Sequence, residues 1–394
     1  MHIHELCGPW MDHPFWRTKF ILTDPLDIRR LLESGIPELW IDSSKGLDIG
    51  VDETQDKVAV VPEKTPRLAS LRNAPPRQIP LSEEIQQAAK TCAKASKAVK
   101  SMFEEVRMGN AVSAEAANDL VEEISSSVLR NPGALISLAR LKTVDDYTYM
   151  HSVAVCALMI ALGKQLQIEA GDLREAGMAG LLHDLGKAVI PAEILNKPGK
   201  LTAEEFTIIK SHPVEGHRIL MEGKTVQAIP LDVCLHHHEK MDGSGYPHRL
   251  QGEGISLFAR MGAVCDVYDA ITSDRPYKRG WDPAESIKKM SEWSADGGHF
   301  DQKVFQAFVK CIGIYPTGAL VRLSSGRLGV VLDQSAKSLL TPVVKVFFST
   351  KSQTFIQPEV VDLSRPGCPE KIVGKEDAAQ WGIKNLHELW VGTP

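Results

Sequence analysis

The sequence predicts a mainly α-helical protein: an all-helical domain flanked by a small α/β unit before it and a small β-rich unit after it. Three observations carry this. Apolar residues recur at helical spacing from Ser82 to Ile312, with no strand-like alternation between. Five prolines (62, 66, 75, 76 and 80) crowd a short stretch ahead of that region. After Tyr315-Pro316 the composition turns to β-branched and aromatic runs punctuated by Gly, Ser and Pro.

Residues 1–61 read as the α/β unit. A helix starts at Thr23-Asp24-Pro25 and stops at Gly35, and ELWIDSSKG and VDETQDKVAVV read as strands around turns. Residues 62–81 form a Pro-rich linker that carries Lys64, Arg67, Arg72 and Arg77, extended rather than packed. The helical domain spans 82–315. Its first helix stops at Gly109, its second runs from Ser113 to Leu129 and ends at Asn131-Pro132-Gly133, and periodic segments follow at 134–165, 173–185, 202–222, 228–240, 256–271, 283–294 and 302–312. Residues 316–394 form the β-rich unit. ALVRL, GRLGVVLD, PVVKVFFST and FIQPEVVDL are its strands, and a short helix near 376–389 closes the chain.

The 394 residues are 43% hydrophobic and 24% charged, which excludes a mainly disordered, collagen-like or disulfide-scaffold protein. A net charge of −5 gives no global attraction to a nucleic-acid polymer or an anionic membrane. Seven scattered cysteines with no CxxC pair point to reduced thiols and a cytoplasmic protein. The longest apolar run, Val153 to Gly163, falls short of the roughly 20 residues a membrane span needs. The first residues lack a basic segment followed by an apolar one, so no signal peptide is expected.

Histidine is the residue out of proportion. Eight of the 13 fall between residues 151 and 248. His183-Asp184, followed by Lys187, puts an imidazole, a carboxylate and an ammonium together, the combination for a cationic metal and an anionic substrate. Alone, the dipeptide is weak evidence; His151 alone reads as a hydrogen-bonded core histidine, and His212 as a helix-end residue. His236-His237-His238-Glu239 is more telling, because three successive imidazoles beside a glutamate suit iron, manganese, nickel, copper or zinc. Asp266 and Asp269 lie one helical turn apart, and Asp266 inside an apolar run is costly unless paired or metal-bound. Gly243, Gly245 and Pro247 make a tight loop around Tyr246. Arg275 and Lys278 place two phosphate-binding cations three positions apart.

HDLGK, ILNKPGKLTAEEF, HPVEG, HHEKMDGSGYP and DVYDAITSDRPYK occur in this order, and from about Leu141 to Tyr315 the chain resembles the HD-GYP family of bacterial cyclic di-GMP phosphodiesterases, within the HD metallohydrolase superfamily. The N-terminal HELCGPWMDHPFWRTKF resembles a small domain of unknown function that often precedes HD-GYP domains, with its leading strand short or absent. The resemblance implies an HD-type helical fold and a dinuclear site. His151, His183, Asp184 and Asp266 match the ligands of one metal. His212, His237 and His238 match those of the second, with Asp184 bridging and His236 outside the set. Lys187 matches a lysine beside the scissile phosphate, Arg275 and Lys278 match phosphate-holding residues, and Gly245, Tyr246 and Pro247 form the motif loop.

Some relatives carry a glutamate four residues before the first ligand histidine and bind a third metal. Here that residue is Tyr147, whose phenol, with a pKa of about 10, is a poorer ligand. Two divalent transition ions are therefore expected, iron or manganese first and nickel or zinc next. The implied reaction is hydrolysis of cyclic di-GMP to pGpG, GMP or both by a metal-bridged hydroxide. The other readings are a cyclic di-GMP receptor or adaptor with little or no turnover, and a hydrolase of another cyclic dinucleotide. The motif loop, with Tyr246 exposed, offers a surface to a signalling partner protein; the two flanking units are read first as structural, with regulation of access or a homodimer as the other readings of the N-terminal one and partner binding as that of the C-terminal one.

Overall fold

The computed structural model describes the backbone at residues 2–7, 20–21 and 38–41, and the chain over 78–391 apart from 141–146, 198, 225, 274–279 and 336–337. It divides into two units, Met1–Ala74 and Pro75–Pro394. The expected helix at 23–35, the strand at 51–61 and the phosphate-binding pair Arg275 and Lys278 lie outside the described residues.

The first unit holds a three-stranded antiparallel sheet of β1 (His2–Cys7), β2 (Phe20–Ile21) and β3 (Glu38–Ile41) in the order β2-β1-β3. The leading strand expected to be short or absent is six residues long and central. Its register shifts against β3 between Ile3 and Glu5. An irregularity of that kind breaks the period-two pattern by which a strand is read.

The second unit begins with α1 (Leu81–Arg107), α2 (Ala114–Arg130) and α3 (Pro132–Arg140). Ser113 caps α2 by accepting the Ala116 N–H at 3.3 Å. Arg130 and Ser127 of α2 both donate to the buried Glu84 carboxylate of α1, which clamps the pair. Next come α4 (Tyr147–Gln165) and α5 (Ala170–Leu182). Helix α4 is buried on every side from Met150 to Gly163, so it is the axis of the domain rather than a surface helix. Gly180 lets α5 close on it: a Cβ there would lie 2.8 Å from the Cys156 backbone. That approach brings the end of α5 beside His151.

A 3₁₀ turn (Leu185–Val189) leads to α6 (Ala192–Leu195), α7 (Ala203–Ile209), α8 (His212–Gly223) and α9 (Ala228–His236). The motif loop precedes α10 (Leu257–Thr272), which Ser256 caps, and then come α11 (Pro283–Ser294) and α12 (Gln302–Ile312). Five strands follow: β4 (Leu320–Leu323), β5 (Arg327–Asp333), β6 (Val343–Ser349), β7 (Thr354–Asp362) and β8 (Ile372–Lys375). They form an antiparallel sheet in the order β7-β6-β5-β4-β8, with Val321, Leu323, Val331, Val344 and Val346 in its core. A short helix, α13 (Glu388–Val391), ends the described chain. The fold is mainly helical with a small β-rich end, as expected. Strand β8 was not anticipated, because IVGK has a glycine and two exposed positions and, among the described residues, pairs only with β4.

Candidate metal centre

The donor side chains come from helix ends that converge on α4 and α10. His183 caps the C-terminus of α5, His212 opens α8, and His237 caps the C-terminus of α9. In all three, Nδ1 faces a backbone carbonyl within the preceding turn. His183 Nδ1 is 2.9 Å from Gly180 O, His212 Nδ1 2.7 Å from Ile209 O, and His237 Nδ1 3.0 Å from Val233 O. A carbonyl only accepts, so each Nδ1 carries the hydrogen and each Nε2 presents a lone pair. His151, near the start of α4, is held differently: its Nδ1 lies 2.6 Å from Asp269 Oδ2. A carboxylate behind an imidazole fixes the ring and raises its basicity as a ligand.

The unhydrogenated edges meet in one buried space. His151 Nε2 lies 3.0 Å from Asp266 Oδ1 and 3.5 Å from Asp184 Oδ2. His183 Nε2 is 3.3 Å from Asp184 Oδ2 and 3.8 Å from Asp266 Oδ1. Across Asp184, His212 Nε2 is 3.2 Å and His237 Nε2 3.9 Å from Oδ1. Three overlapping groups have their ligand atoms within 4.8 Å of one another: His151-His183-Asp266, His183-Asp184-His237 and His212-His237-His238. Each of the seven donors expected from the sequence falls in at least one, and Asp184 stands between the two histidine sets.

This arrangement fits divalent metal ions. His183 Nε2 and Asp184 Oδ1 are buried with no hydrogen-bond partner, each a cost of roughly 1–3 kcal/mol unless a cation accepts the lone pair. His212 Nε2 and His237 Nε2 face each other at 3.3 Å, lone pair to lone pair. Two nitrogens bound to one ion at about 2.1 Å stand about 3.0–3.3 Å apart, so that spacing is what a shared ion requires.

The protonation states agree. Burial pushes the Asp184 carboxyl up, but Lys187 and His183 hold it well below the usual carboxylate range. Burial likewise opposes ionisation of Asp266, but the imidazoles around it, His151 first, hold its carboxyl well below the usual carboxylate range. Burial drives His237 well below its ordinary value and His238 down to about 3, so both are neutral. His183 goes the other way: burial would lower it, and the neighbouring Asp184 outweighs burial and raises it.

Lys187 donates to Asp184 Oδ2 and is about one-fifth exposed. Helix α5 ends at Leu182, and Lys187 lies on the 3₁₀ turn that follows, with Asp184 at φ −100° and ψ 8°. Gly186 lets that turn lie against α8, because a Cβ there would meet His212 O at 2.0 Å. Tyr147 stacks flat against His151, with ring centroids 6.1 Å apart and 6° between planes.

Gly245 is buried against the ligand segment; a Cβ would stand 2.5 Å from Glu239 Cα. Tyr246, expected to be exposed, is half-buried, its ring 4.7 Å from that of His238 and its N–H on His238 O at 3.3 Å. The loop is tight, with Gly245 against the Glu239 backbone, and it lays the phenol ring beside the His238 imidazole. Glu239 is buried and accepts the N–H groups of His248 at 2.7 Å and Leu250 at 3.1 Å, so it fastens the loop. Neither Asp269 nor Glu239 was assigned a role from sequence. The one-turn spacing of Asp269 from Asp266 was the signal for the first, and its adjacency to His238 the signal for the second.

Fold and donor set define an HD-domain metalloprotein. A family model described as "HD domain" matches residues 125–304, and one described as "Domain of unknown function (DUF3391)" matches residues 1–117. The chain is 57% identical over 393 residues to a Pseudomonas aeruginosa protein named cyclic di-GMP phosphodiesterase PA4108, covering 100% of this chain and 93% of that one. It is 40% identical over 182 residues to the cyclic di-GMP phosphodiesterase response regulator RpfG of Xanthomonas campestris, covering 44% of this chain and 47% of that one. It is 34% identical over 193 residues to 3'3'-cGAMP-specific phosphodiesterase 1 of Vibrio cholerae, covering 48% and 42%. The chain belongs to the HD-GYP family of metal-dependent hydrolases. Among the described residues no helix is long and apolar enough to cross a membrane.

Proposed function

We infer that this protein hydrolyses cyclic di-GMP to pGpG, GMP or both. The observation that carries the reading is the convergence of seven donors, six of them buried and His238 partly so, with His183 Nε2 and Asp184 Oδ1 among the atoms left without a hydrogen-bond partner. The near full-length likeness to a protein named for this activity supports the substrate.

His151, His183, Asp184 and Asp266 would hold one divalent ion, and His212, His237 and His238 would hold the other, with Asp184 able to serve both. Iron or manganese comes first, nickel or zinc next, since imidazole and carboxylate suit all four. When bound, such a pair supplies a water of lowered pKa and charge relief on the phosphate oxygens. The protein's own groups do the rest. Asp269 keeps the hydrogen on His151 Nδ1, and the carbonyls of Gly180, Ile209 and Val233 do the same for three further rings. Lys187 Nζ, already at the edge of the site, turns from Asp184 to the phosphate, neutralises charge there and can give its proton to the leaving oxygen. Arg275 and Lys278 hold the remaining phosphate of the dinucleotide. Tyr246 and its loop wall the site over His238, and the exposed His248 and Arg249 beyond it offer the outer surface to a partner protein.

The test is incubation of metal-loaded protein with cyclic di-GMP and, in parallel, 3'3'-cGAMP, with chromatography of the products. Linear product from cyclic di-GMP, absent when His183 and Asp184 are both alanine, is expected. Binding without product would favour the receptor, and cleavage of 3'3'-cGAMP alone would move the substrate.

A further inference from the structure

A cavity of about 80 Å³ lies where the helical domain meets the five-stranded sheet. It is lined by Ile136, Ser137 and Arg140 of α3, Tyr268 of α10, Ile312 of α12 and Thr317 just before β4. One water takes up roughly 10–15 Å³ of such a space, so there is room for a small organic molecule. The cavity has no part in the centre just described. Tyr268 is two residues beyond Asp266, which turns the two side chains to opposite faces of α10, about 200° apart.

Two donors in this cavity have no acceptor. Tyr268 is 1% exposed, and its hydroxyl has no hydrogen-bond partner. A phenol holds its hydrogen at neutral pH, so a buried O–H is left with nothing to donate to, which costs stability. Arg140 is the second donor. Its Nη2 lies 3.3 Å from the point a Cβ on Gly318 would take, so the guanidinium is folded against the chain rather than extended into water. Its charge reaches the phenol, but the two make no hydrogen bond. Guanidinium only donates, and among the described residues no carboxylate pairs with it. The carboxylates at this end of the domain are engaged elsewhere. Asp333 accepts the Gln334 N–H at 2.9 Å and an Asn131 side-chain N–H at 3.3 Å. Asp282 caps α11 through the N–H groups of Ala284 at 2.9 Å and Glu285 at 3.0 Å.

We propose that this cavity binds a small monocarboxylic acid with an apolar body. The carboxylate accepts from Arg140 and from the Tyr268 hydroxyl, and the carbon body lies against Ile136, Ile312 and Pro316. One cation and one hydroxyl among apolar walls suit a single carboxylate, whereas a strongly hydrated anion such as phosphate would lose more water than they replace. The occupant joins α3 and α10 to the segment that leads into the sheet. Its binding is the same whichever dinucleotide the buried centre cleaves.

The test titrates the full, metal-loaded chain with isovalerate, a carboxylate on a short branched chain, by calorimetry. Isovaleramide, its uncharged counterpart, and inorganic phosphate run in parallel. Isovalerate should bind saturably at millimolar concentration or below, and the other two about tenfold more weakly or worse. Tyr268→Phe should bind isovalerate about 10- to 100-fold more weakly, the cost of one hydrogen bond to a charged group. Arg140→Met should not bind it measurably. Without ligand, Tyr268→Phe should melt no lower than wild type, because the hydroxyl it loses is unpaired. Isovalerate taken up at the metal centre is common to all three proteins, so equal affinity across them overturns the site, as does the lack of saturable binding to wild type. Isovaleramide binding as tightly as isovalerate overturns the carboxylate assignment, and phosphate doing so overturns the apolar body. Crystals soaked in isovalerate should show its carboxylate between Arg140 and Tyr268, and ordered water alone in that place overturns the proposal.

Discussion

Gly186→Ala tests how the two halves of the centre are held together. Gly186 lies two residues after Asp184 and rests on the first turn of α8, which carries His212. An alanine Cβ would stand 2.0 Å from His212 O and 2.5 Å from Gly216 N, both backbone atoms that no side-chain rotation can move. Ordinary contact begins at 3.4 Å, so the turn and α8 must part by about 1.4 Å. His212 Nε2 is 3.2 Å from Asp184 Oδ1 and 3.3 Å from His237 Nε2, so a parting of that size takes His212 out of reach of an ion shared with either. Overpacking of this kind costs about 1–3 kcal/mol. Misplacing a catalytic group by about 1 Å costs around 100-fold in rate. The variant should lose one of two ions, melt several degrees lower and hydrolyse cyclic di-GMP about 100-fold more slowly. Gly171→Ala is the control, because nothing lies within 4 Å of the added methyl in the first turn of α5. Two ions retained by Gly186→Ala, with a rate within threefold of wild type, would refute the reasoning.

Further expectations follow from the same geometry. Asp269→Asn removes the acceptor behind His151 and should weaken metal binding 10- to 100-fold, measured by competition with a chelator; unchanged affinity would mean that Asp269 merely fills space. Metal-stripped protein should melt progressively lower as pH falls from 7 to 4. The depressed His237 and His238 stabilise the fold above about 6.5 and lose that contribution as acid forces a proton on them, whereas His183, raised, contributes in the opposite sense and alone does not offset two. A flat profile over that range would count against the buried neutral imidazoles. Metal analysis of protein purified without oxygen should find two ions per chain, since Tyr147 stands where a third would need a carboxylate; three tightly held ions would contradict this. Arg275→Ala should raise KM more than it lowers kcat, and an unchanged KM would remove it from the substrate site.

Much of the fold was legible because the helical domain is long and periodic. The apolar run of α4 fell within a periodic segment read as helical, and Ser113, Asp282 and Asp301 stand as helix caps where the pattern starts. What was hidden depended on contacts distant in sequence. The close approach of the α8 backbone to Gly186, just after α5 ends at Leu182, joins segments distant in sequence. The central strand of the first sheet was masked by its register shift. At the site, residue types chose the donors, while their tautomers came from carbonyls at helix ends and from Asp269, visible only once the helices were placed. The half-burial of Tyr246 likewise arises from how the motif loop folds back.

The central claim is that the seven-donor centre cleaves cyclic di-GMP. Its most direct test is a single-turnover assay under anaerobic conditions, with enzyme in excess over cyclic di-GMP and metal content measured on the same sample. At two ions per chain, conversion to linear product should be complete, and it should cease on chelation and in the His183→Ala/Asp184→Ala variant. Cyclic di-GMP recovered intact at full metal occupancy would contradict the account.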